Sequence, residues 1–396
     1  MTPNRPALLV AGIALPFAVL LFSVPAQAAP LTAVISGVVA DSGGAPIPGA
    51  GVILTAEGFG SSRLTTDSHG RYRFPGLAPL HLCSVAAERS GFRSVTYAGI
   101  FTEAGRTRSV NFRLKRPGER DIVIVVSRDP FPYEDFVRGF TGHVGAPTRV
   151  VDLDREADPA EAVRRIRAER PNLIVGAGLR AAHQIRREAP DVPAILTLVT
   201  DPRRHDLLTQ SLGILMIQPD ADRLFGRVAE VLPGLKRIGM VYQADAGSLL
   251  ARDLRDAAER RGLWVEFGLC RSDRDLRPAL DAMRGRIDGL VVPNDDLTST
   301  PRAQDIITGW ALKNNVPLAV STPEWVQHGA LLSYGASYAR LGEETSSLAA
   351  QVLEGAMQPA DLSMRRSREF ELTVNSATAA RIGVEIPTGL KVDAVY

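Results

Sequence analysis

Ile122-Val123-Ile124-Val125-Val126 is an unbroken run of β-branched residues. A strand with one wet face alternates apolar and polar residues; a strand covered on both faces does not. The run therefore predicts a strand buried between two layers. Downstream, similar runs return at 148–153, 173–175 and 194–199, with helical spacing between them at 133–142, 159–169 and 180–188. The alternation restarts with strands expected at 238–242, 264–267, 289–292 and 317–321 and helices at 248–261 and 276–283. Strand–helix alternation builds parallel sheets through right-handed crossovers. The expected fold is α/β, with two doubly wound parallel sheets in tandem. Ligands of such sheets lie beyond the carboxyl ends of the strands. A cleft between two lobes, closing by a hinge, follows.

Upstream of that run the pattern changes. Lys115-Arg116-Pro117-Gly118-Glu119-Arg120 is charged and carries Pro-Gly, so neither helix nor strand should cross it. Before it, short alternating stretches at 33–40, 51–55, 71–74, 95–97 and 110–114 are punctuated by Asp41-Ser42-Gly43-Gly44 and Asp67-Ser68-His69-Gly70. That spacing predicts a small all-β sandwich over 31–115. Gly37–Asp41, Pro46–Ala50, Thr65–Phe74 and Gly91-Phe92 together resemble the carboxypeptidase regulatory-like domain, a transthyretin-like sandwich. The resemblance implies a structural or interaction module, and no His-x-x-Glu zinc pair accompanies it. Asp67 reads as a turn cap or, less simply, a calcium ligand.

Residues 1–28 have the three-part pattern of a cleavable secretory signal: Arg5, an apolar run from Ala7 to Val24, and Ala26-Gln27-Ala28 as the small-x-small site. Cleavage after Ala28 and a periplasmic destination are expected. Pro16 and the missing basic flank argue against a membrane anchor.

Formal net charge is +2, falling to +1 once Arg5 leaves with the signal. A balance so near zero gives no general attraction to nucleic acid. The two cysteines, Cys83 and Cys270, fall in different expected domains, which makes a disulfide framework improbable. The six histidines are scattered without metal-ligand spacing, and neither a Gly-x-Ser-x-Gly elbow nor a Walker loop is present. No metal, no cofactor and no enzymatic activity are expected.

From Pro171 onward, ordered pieces resemble the ABC transporter substrate-binding family with the type I periplasmic-binding fold, the group of tryptophan/tyrosine-type binding proteins. They are Pro171–Gly178, Thr200-Asp201-Pro202, Leu232–Tyr242, Val292–Asp296 against the family's "VPNDN", Gly329 to Gly342, and Glu371–Asn375 with Ile386-Pro387. The resemblance implies a solute-binding domain over 119–396. Its first lobe would take about 119–214 plus helix 338–355, and its second about 215–335 plus 358–396. It also implies a small-molecule solute and an ABC permease in the inner membrane as partners. The chain departs from the family at Ala177-Gly178-Leu179, and at Asp206–Leu208 with Gly213–Met216, where Arg203 and Arg204 also stand. Either the ligand differs from an aromatic amino acid or binding has degenerated.

A small-molecule cleft needs an apolar wall and a few placed polar groups. Ser127, Arg128, Phe131, Ala177, Gly178, Leu179, Thr200 and Asp201 are the first-lobe candidates. Gln218, Tyr242, Asn294, Asp295, Glu324 and Tyr334 are those of the second. The Ala177-Gly178 amides are expected to hold a carboxylate at a helix N-terminus, and Asp295 to pair a ligand amine. Phe131 or Tyr242 would cover a ring or aliphatic group. Arg128 reads equally as a partner of Asp129, Tyr242 as packing, Asp201-Pro202 as turn chemistry and Asn294-Asp295 as a helix cap. Two functions follow: an importer's solute-binding protein, or an envelope sensor or adaptor whose lobes regulate a membrane partner through the sandwich.

Overall fold

The computed structural model describes residues 32–56, 60–127, 133–209, 211–244 and 249–396. Residues 33–114 form a sandwich of two four-stranded sheets. In one, Ala33–Asp41 pairs with Arg71–Leu77 on one side and with Thr107–Ser109 and Phe112–Leu114 on the other. The other runs Gly60–Thr65, Gly51–Ala56, Leu82–Glu88, Val95–Phe101, all antiparallel. Cys83, Val85 and Ala87 alternate inward to meet Val95, Tyr97 and Ile100. The Tyr97 and Phe112 rings stack across the core, centroids 4.8 Å apart. Asp67 caps its turn, Oδ1 accepting from the amides of His69 (2.9 Å) and Arg71 (2.8 Å).

Of the stretch expected as a strand over 110–114, only Phe112–Leu114 is one, and a separate strand, Thr107–Ser109, precedes it. The break at Val110-Asn111 lets the Asn111 side chain accept from the Val38 amide at 3.0 Å, so a side chain fills a gap in the ladder. Strands Gly60–Thr65 and Leu82–Glu88 were not expected. The first is a polar edge strand, exposed almost throughout, and the second has a single β-branched residue, Val85.

The first lobe is a six-stranded parallel sheet in the order Thr148–Asp152, Ile122–Val126, Leu173–Ala177, Ala194–Thr197, Leu212–Met216, Met364–Arg366. Ile122–Val126 is buried throughout, as its composition requires. Helices Pro159–Glu169 and Leu179–Glu188 cover one face. Tyr133–His143 and Tyr338–Glu354 cover the other, packed so closely that a Cβ on Gly342 would lie 2.2 Å from the Phe136 carbonyl oxygen.

The second lobe repeats the winding with Trp264–Cys270, Arg237–Gln243, Gly289–Val292, Leu318–Val320 and Leu332–Ala336, then adds Phe370–Val374 antiparallel and Ala394–Val395. Among the described residues the chain passes between the two sheets three times, at 216–221, 336–338 and 366–370. The crossings are tied together: the Ser367 amide donates to Met216 O at 3.0 Å and the Ser337 amide to Glu369 O at 3.1 Å. That ribbon is the hinge side of the cleft.

One boundary differs from the expectation. Residues 358–396 do not all belong to the second lobe. Met364–Arg366 completes the first sheet beside Leu212–Met216, and Pro359–Leu362 lies against Gly213. A three-residue Met-Arg-Arg strand has no periodicity to read; only its partner defines it.

Candidate functional site

The register of the first sheet sets Val126 opposite Ala177, so the chain leaves both strands at one level. Ser127, 4% exposed, donates its amide to Ala177 O at 3.0 Å. Its Oγ accepts the Ala181 amide at 3.2 Å, capping helix Leu179–Glu188 from outside. Gly178 makes the turn with φ +101°, and a Cβ there would fall 2.5 Å from Ser127 Oγ. Side chains avoid that conformation and that space. The Gly178 amide already donates to Thr197 O at 3.0 Å, so it does not await a carboxylate as expected. Beyond Ala194–Thr197, buried Leu198 adopts φ +55°, a rare state for leucine, and the chain turns toward the second lobe.

Asn294, Asp295 and Asp296 follow strand Gly289–Val292 in the second lobe. Asn294 is buried, its side-chain oxygen accepting from the Thr322 hydroxyl at 2.6 Å and its carbonyl from Gln218 Nε2 at 2.6 Å. Asp295 is 2% exposed, and its oxygens are engaged internally. Oδ2 accepts the Gln243 amide at 2.7 Å; Oδ1 accepts the Thr298 amide at 2.7 Å and hydroxyl at 2.9 Å. Burial pushes its carboxyl up, against those hydrogen bonds. Asp295 therefore clasps two strand ends together instead of offering a charge to a ligand amine.

Its neighbour Asp296 faces the other lobe. Thr200 Oγ1 donates to Asp296 Oδ1 at 3.0 Å. Arg204 Nη1 lies 3.3 Å from Oδ2 and donates to Gln243 Oε1 at 2.7 Å. His205 Nε2 also lies 3.3 Å from Oδ2, outside hydrogen-bonding geometry, so its pull depends on ring charge. The His205 side chain first, with Thr200 and Arg204 adding, holds the Asp296 carboxyl below the usual aspartate range against the effect of burial. On the hinge side, the Tyr338 hydroxyl donates to Glu324 Oε2 at 3.3 Å. Burial pushes the Glu324 carboxyl up.

The structure thus gathers Ser127, Gly178 and Thr200 at the first sheet's strand ends, and Gln218, Asn294 and Glu324 on the second lobe and its crossings. Ala177 and Leu179 flank Gly178 as strand end and helix start. Asp201 serves its own turn, accepting the Arg204 amide at 3.4 Å. Two aromatic candidates lie elsewhere. Tyr242 packs edge-on against Phe267 at 5.7 Å, and Tyr334 against Phe370 at 5.6 Å. Arg128 and Phe131 lie outside the described residues. Sequence reading did not name Asp296, His205 or Gln243 as site residues, and noted Arg204 only within a segment departing from the family. The available signal was opposite charge in two turns that only the tandem fold makes neighbours. Among the described residues, no group of three or more His, Cys, Asp or Glu side chains is placed to hold a metal ion. Cys83 and Cys270 are both buried free thiols.

Known proteins agree with this architecture. The family model for ABC transporter substrate binding protein matches residues 153–395, and that for the carboxypeptidase regulatory-like domain matches residues 34–115. The tyrosine-binding protein of Clostridioides difficile strain R20291 is 28% identical over 227 residues, 55% of this chain. The match spans 65% of that relative's length. Two solved structures share the fold at a TM-score of 0.56. One, from Streptococcus pneumonia, is an ABC domain in complex with L-Trp (19% identity, covering 70% of this chain and 100% of that one). The other is a ligand-free, open substrate-binding protein with adhesive properties from Clostridium difficile (20% identity, covering 70% and 99%). With more than half of its length matched by the family model, the chain belongs to the ABC transporter substrate binding protein family.

Proposed function

We propose that this chain is the solute-recognition component of an ABC import system in the periplasm, and that its lobes close on an amino-acid-like small molecule. The observation that carries this reading is the pair of facing strand ends, joined at the mouth by Thr200 and Asp296 and behind by the Gln218 and Tyr338 contacts. A ligand held there touches both lobes, so it binds the closed form better than the open one and shifts the population toward it. Glu324, an acid pressed into a poorly hydrated position, is the group we assign to the ligand's ammonium. The relatives' ligands, tyrosine and L-Trp, make amino acids the first class to try.

The test is calorimetric titration of the purified full chain, unfolded and refolded to strip bound solute, against L-tyrosine, L-tryptophan, other amino acids, sugars and nucleosides. Saturable binding of an amino acid, with a matching rise in unfolding temperature, is expected. Glu324→Gln should weaken it about ten-fold or more. Silence across the panel from refolded protein overturns the reading. A second reading, an envelope sensor or adaptor, is favoured by one observation: the sandwich is fixed to the first lobe by buried charged contacts of Lys115 and Glu169. Cross-linking in membranes to a receptor instead of a permease would decide for it.

A further inference from the structure

The contacts at the mouth are made directly between the protein's own side chains. Among the described residues, the side chains that reach Asp296 come from one first-lobe turn, Thr200–His205. That turn is preformed. The Leu207 amide donates to Pro202 O at 3.2 Å, and Leu207 is fully buried. His183 of helix Leu179–Glu188 meets the His205 ring edge-on at 5.4 Å. Arg186 of the same helix pairs with Asp206. The charged and titratable groups around His205 are therefore Asp296, Arg204, Asp206, His183, Arg186 and, through its effect on His183, Arg187. On the opposite side Asp296 stands on a turn held rigid by Asp295. Two stiff halves meet through half-exposed charges: the Arg204 side chain is 27% exposed and that of Asp296 30%. Pairs at that depth still exchange with water and salt.

We propose that Asp296 and the Thr200–His205 turn form a latch that closes the lobes without solute and thereby sets the affinity and exchange rate of the cleft. The proposal rests on the reading that these lobes close on a solute. A pre-closed protein pays less to reach its binding-competent state, so apparent affinity rises with the latched fraction. Solute enters and leaves only when the latch parts, so exchange slows. Salt should then weaken binding even of a zwitterion with no net charge, because the screened interaction belongs to the protein.

The experiment uses the full chain with one dye attached at an exposed site on each lobe, first with no solute. In wild type, short inter-dye distances should dominate at about 0.01 M NaCl and give way to longer ones at about 1 M, as the screening length falls from about 30 Å to about 3 Å. Asp296→Asn and Arg204→Gln should each lower the closed-to-open ratio about two- to five-fold at low salt and remove its salt dependence. The double variant should lose no more than either single one. Arg204 lies on a surface turn, so its variant keeps the test available if Asp296→Asn fails to fold. Distances identical in wild type and both variants at every salt overturn the latch. L-tyrosine is then added as probe. If it binds equally to wild type and Asp296→Asn, the latch fails alone. If no solute binds while the salt-dependent closure persists, the latch stands and the solute reading fails.

Discussion

Arginine–carboxylate and lysine–carboxylate contacts join the sandwich to the first lobe and, at the mouth, the first lobe to the second, and there they do opposite work. Between sandwich and first lobe an outer pair, Arg108 with Glu161, is open to water, but the contacts of Lys115 and Glu169 are buried. Lys115 Nζ donates to Asp121 Oδ1 at 2.8 Å, to Asn172 Oδ1 at 3.1 Å and to the Arg170 carbonyl, and its side chain is 6% exposed. The Tyr97 hydroxyl donates to Glu169 Oε1 at 2.7 Å, and Arg149 grips the other oxygen. A cavity of about 220 Å³ beside them is lined by the same polar groups with Asn111, Arg113 and Arg165. Between the two lobes, Arg204 and Asp296 are 27% and 30% exposed, against 6% and 16% for Lys115 and Asp121. Depth decides the outcome: removing one partner of a buried set strands the other without water, whereas an exposed pair is nearly balanced by solvent. The junction is a weld and the mouth is a catch.

The largest expected effect tests the weld. Lys115→Ala leaves the Asp121 carboxylate and two acceptors without their donor and should cost about 3–5 kcal/mol, read as a lower urea midpoint with an unchanged slope. A steeper loss of cooperativity, with sandwich and lobes melting separately, would sharpen the picture of a coupling residue. A loss under about 1 kcal/mol would erase the contrast with the mouth.

Gly178→Ala comes next and acts on the cleft alone. The left-handed φ and the 2.5 Å approach to Ser127 Oγ must both be relieved, at about 1–3 kcal/mol. The turn capped by Ser127 should shift, so solute affinity falls along with stability while the sandwich junction keeps its protection from hydrogen exchange. Unchanged affinity would remove the Ser127–Gly178 turn from the site.

How much of this was legible in the sequence follows the same division between local and long-range causes. Ile122–Val126, Pro159–Glu169 and Gly289–Val292 were readable because composition and period act locally. Leu212–Met216 was read only as a departure from the family, and Met364–Arg366 was put in the second lobe, since the latter becomes a strand only through a partner some 150 residues distant. Thr200 and Asn294 were named as candidates after expected strands, and the structure sets both, with Gln218, at the approach of the two lobes. Asp295 was misjudged because a carboxylate in a turn looks available until its three donors are seen. Asp296 stood only inside a family motif and Arg204 only within a segment departing from the family, and neither was named as a site residue. Nothing within either turn distinguishes them; their meaning comes from a lobe-to-lobe approach that neither segment encodes by itself.

Acid gives the smallest effect, and it should act on the two places with opposite sign. The Asp296 carboxyl is held below its ordinary range when latched. An acid with a depressed folded value contributes stability above its free value, about 3.9, and loses it as pH falls through the depressed one. The mouth should therefore stay latched, as far as Asp296 is concerned, from neutrality down to about pH 4 and part below that. Glu169 is pushed up, chiefly by burial, against the pull of Arg149 and Tyr97. Its sign is reversed: its contribution is fullest below the free glutamate value, about 4.3, and is lost as pH rises through the raised one. Acid below about pH 4 should then open the lobes while leaving the sandwich seated. Inter-dye distance and proteolysis of the Lys115–Arg120 connection, followed together down the pH scale, measure both. Simultaneous loss of the two contacts would mean that acid unfolds the chain globally and that mouth and junction are not separate devices. Opening well above pH 4 would instead take control of the latch away from Asp296.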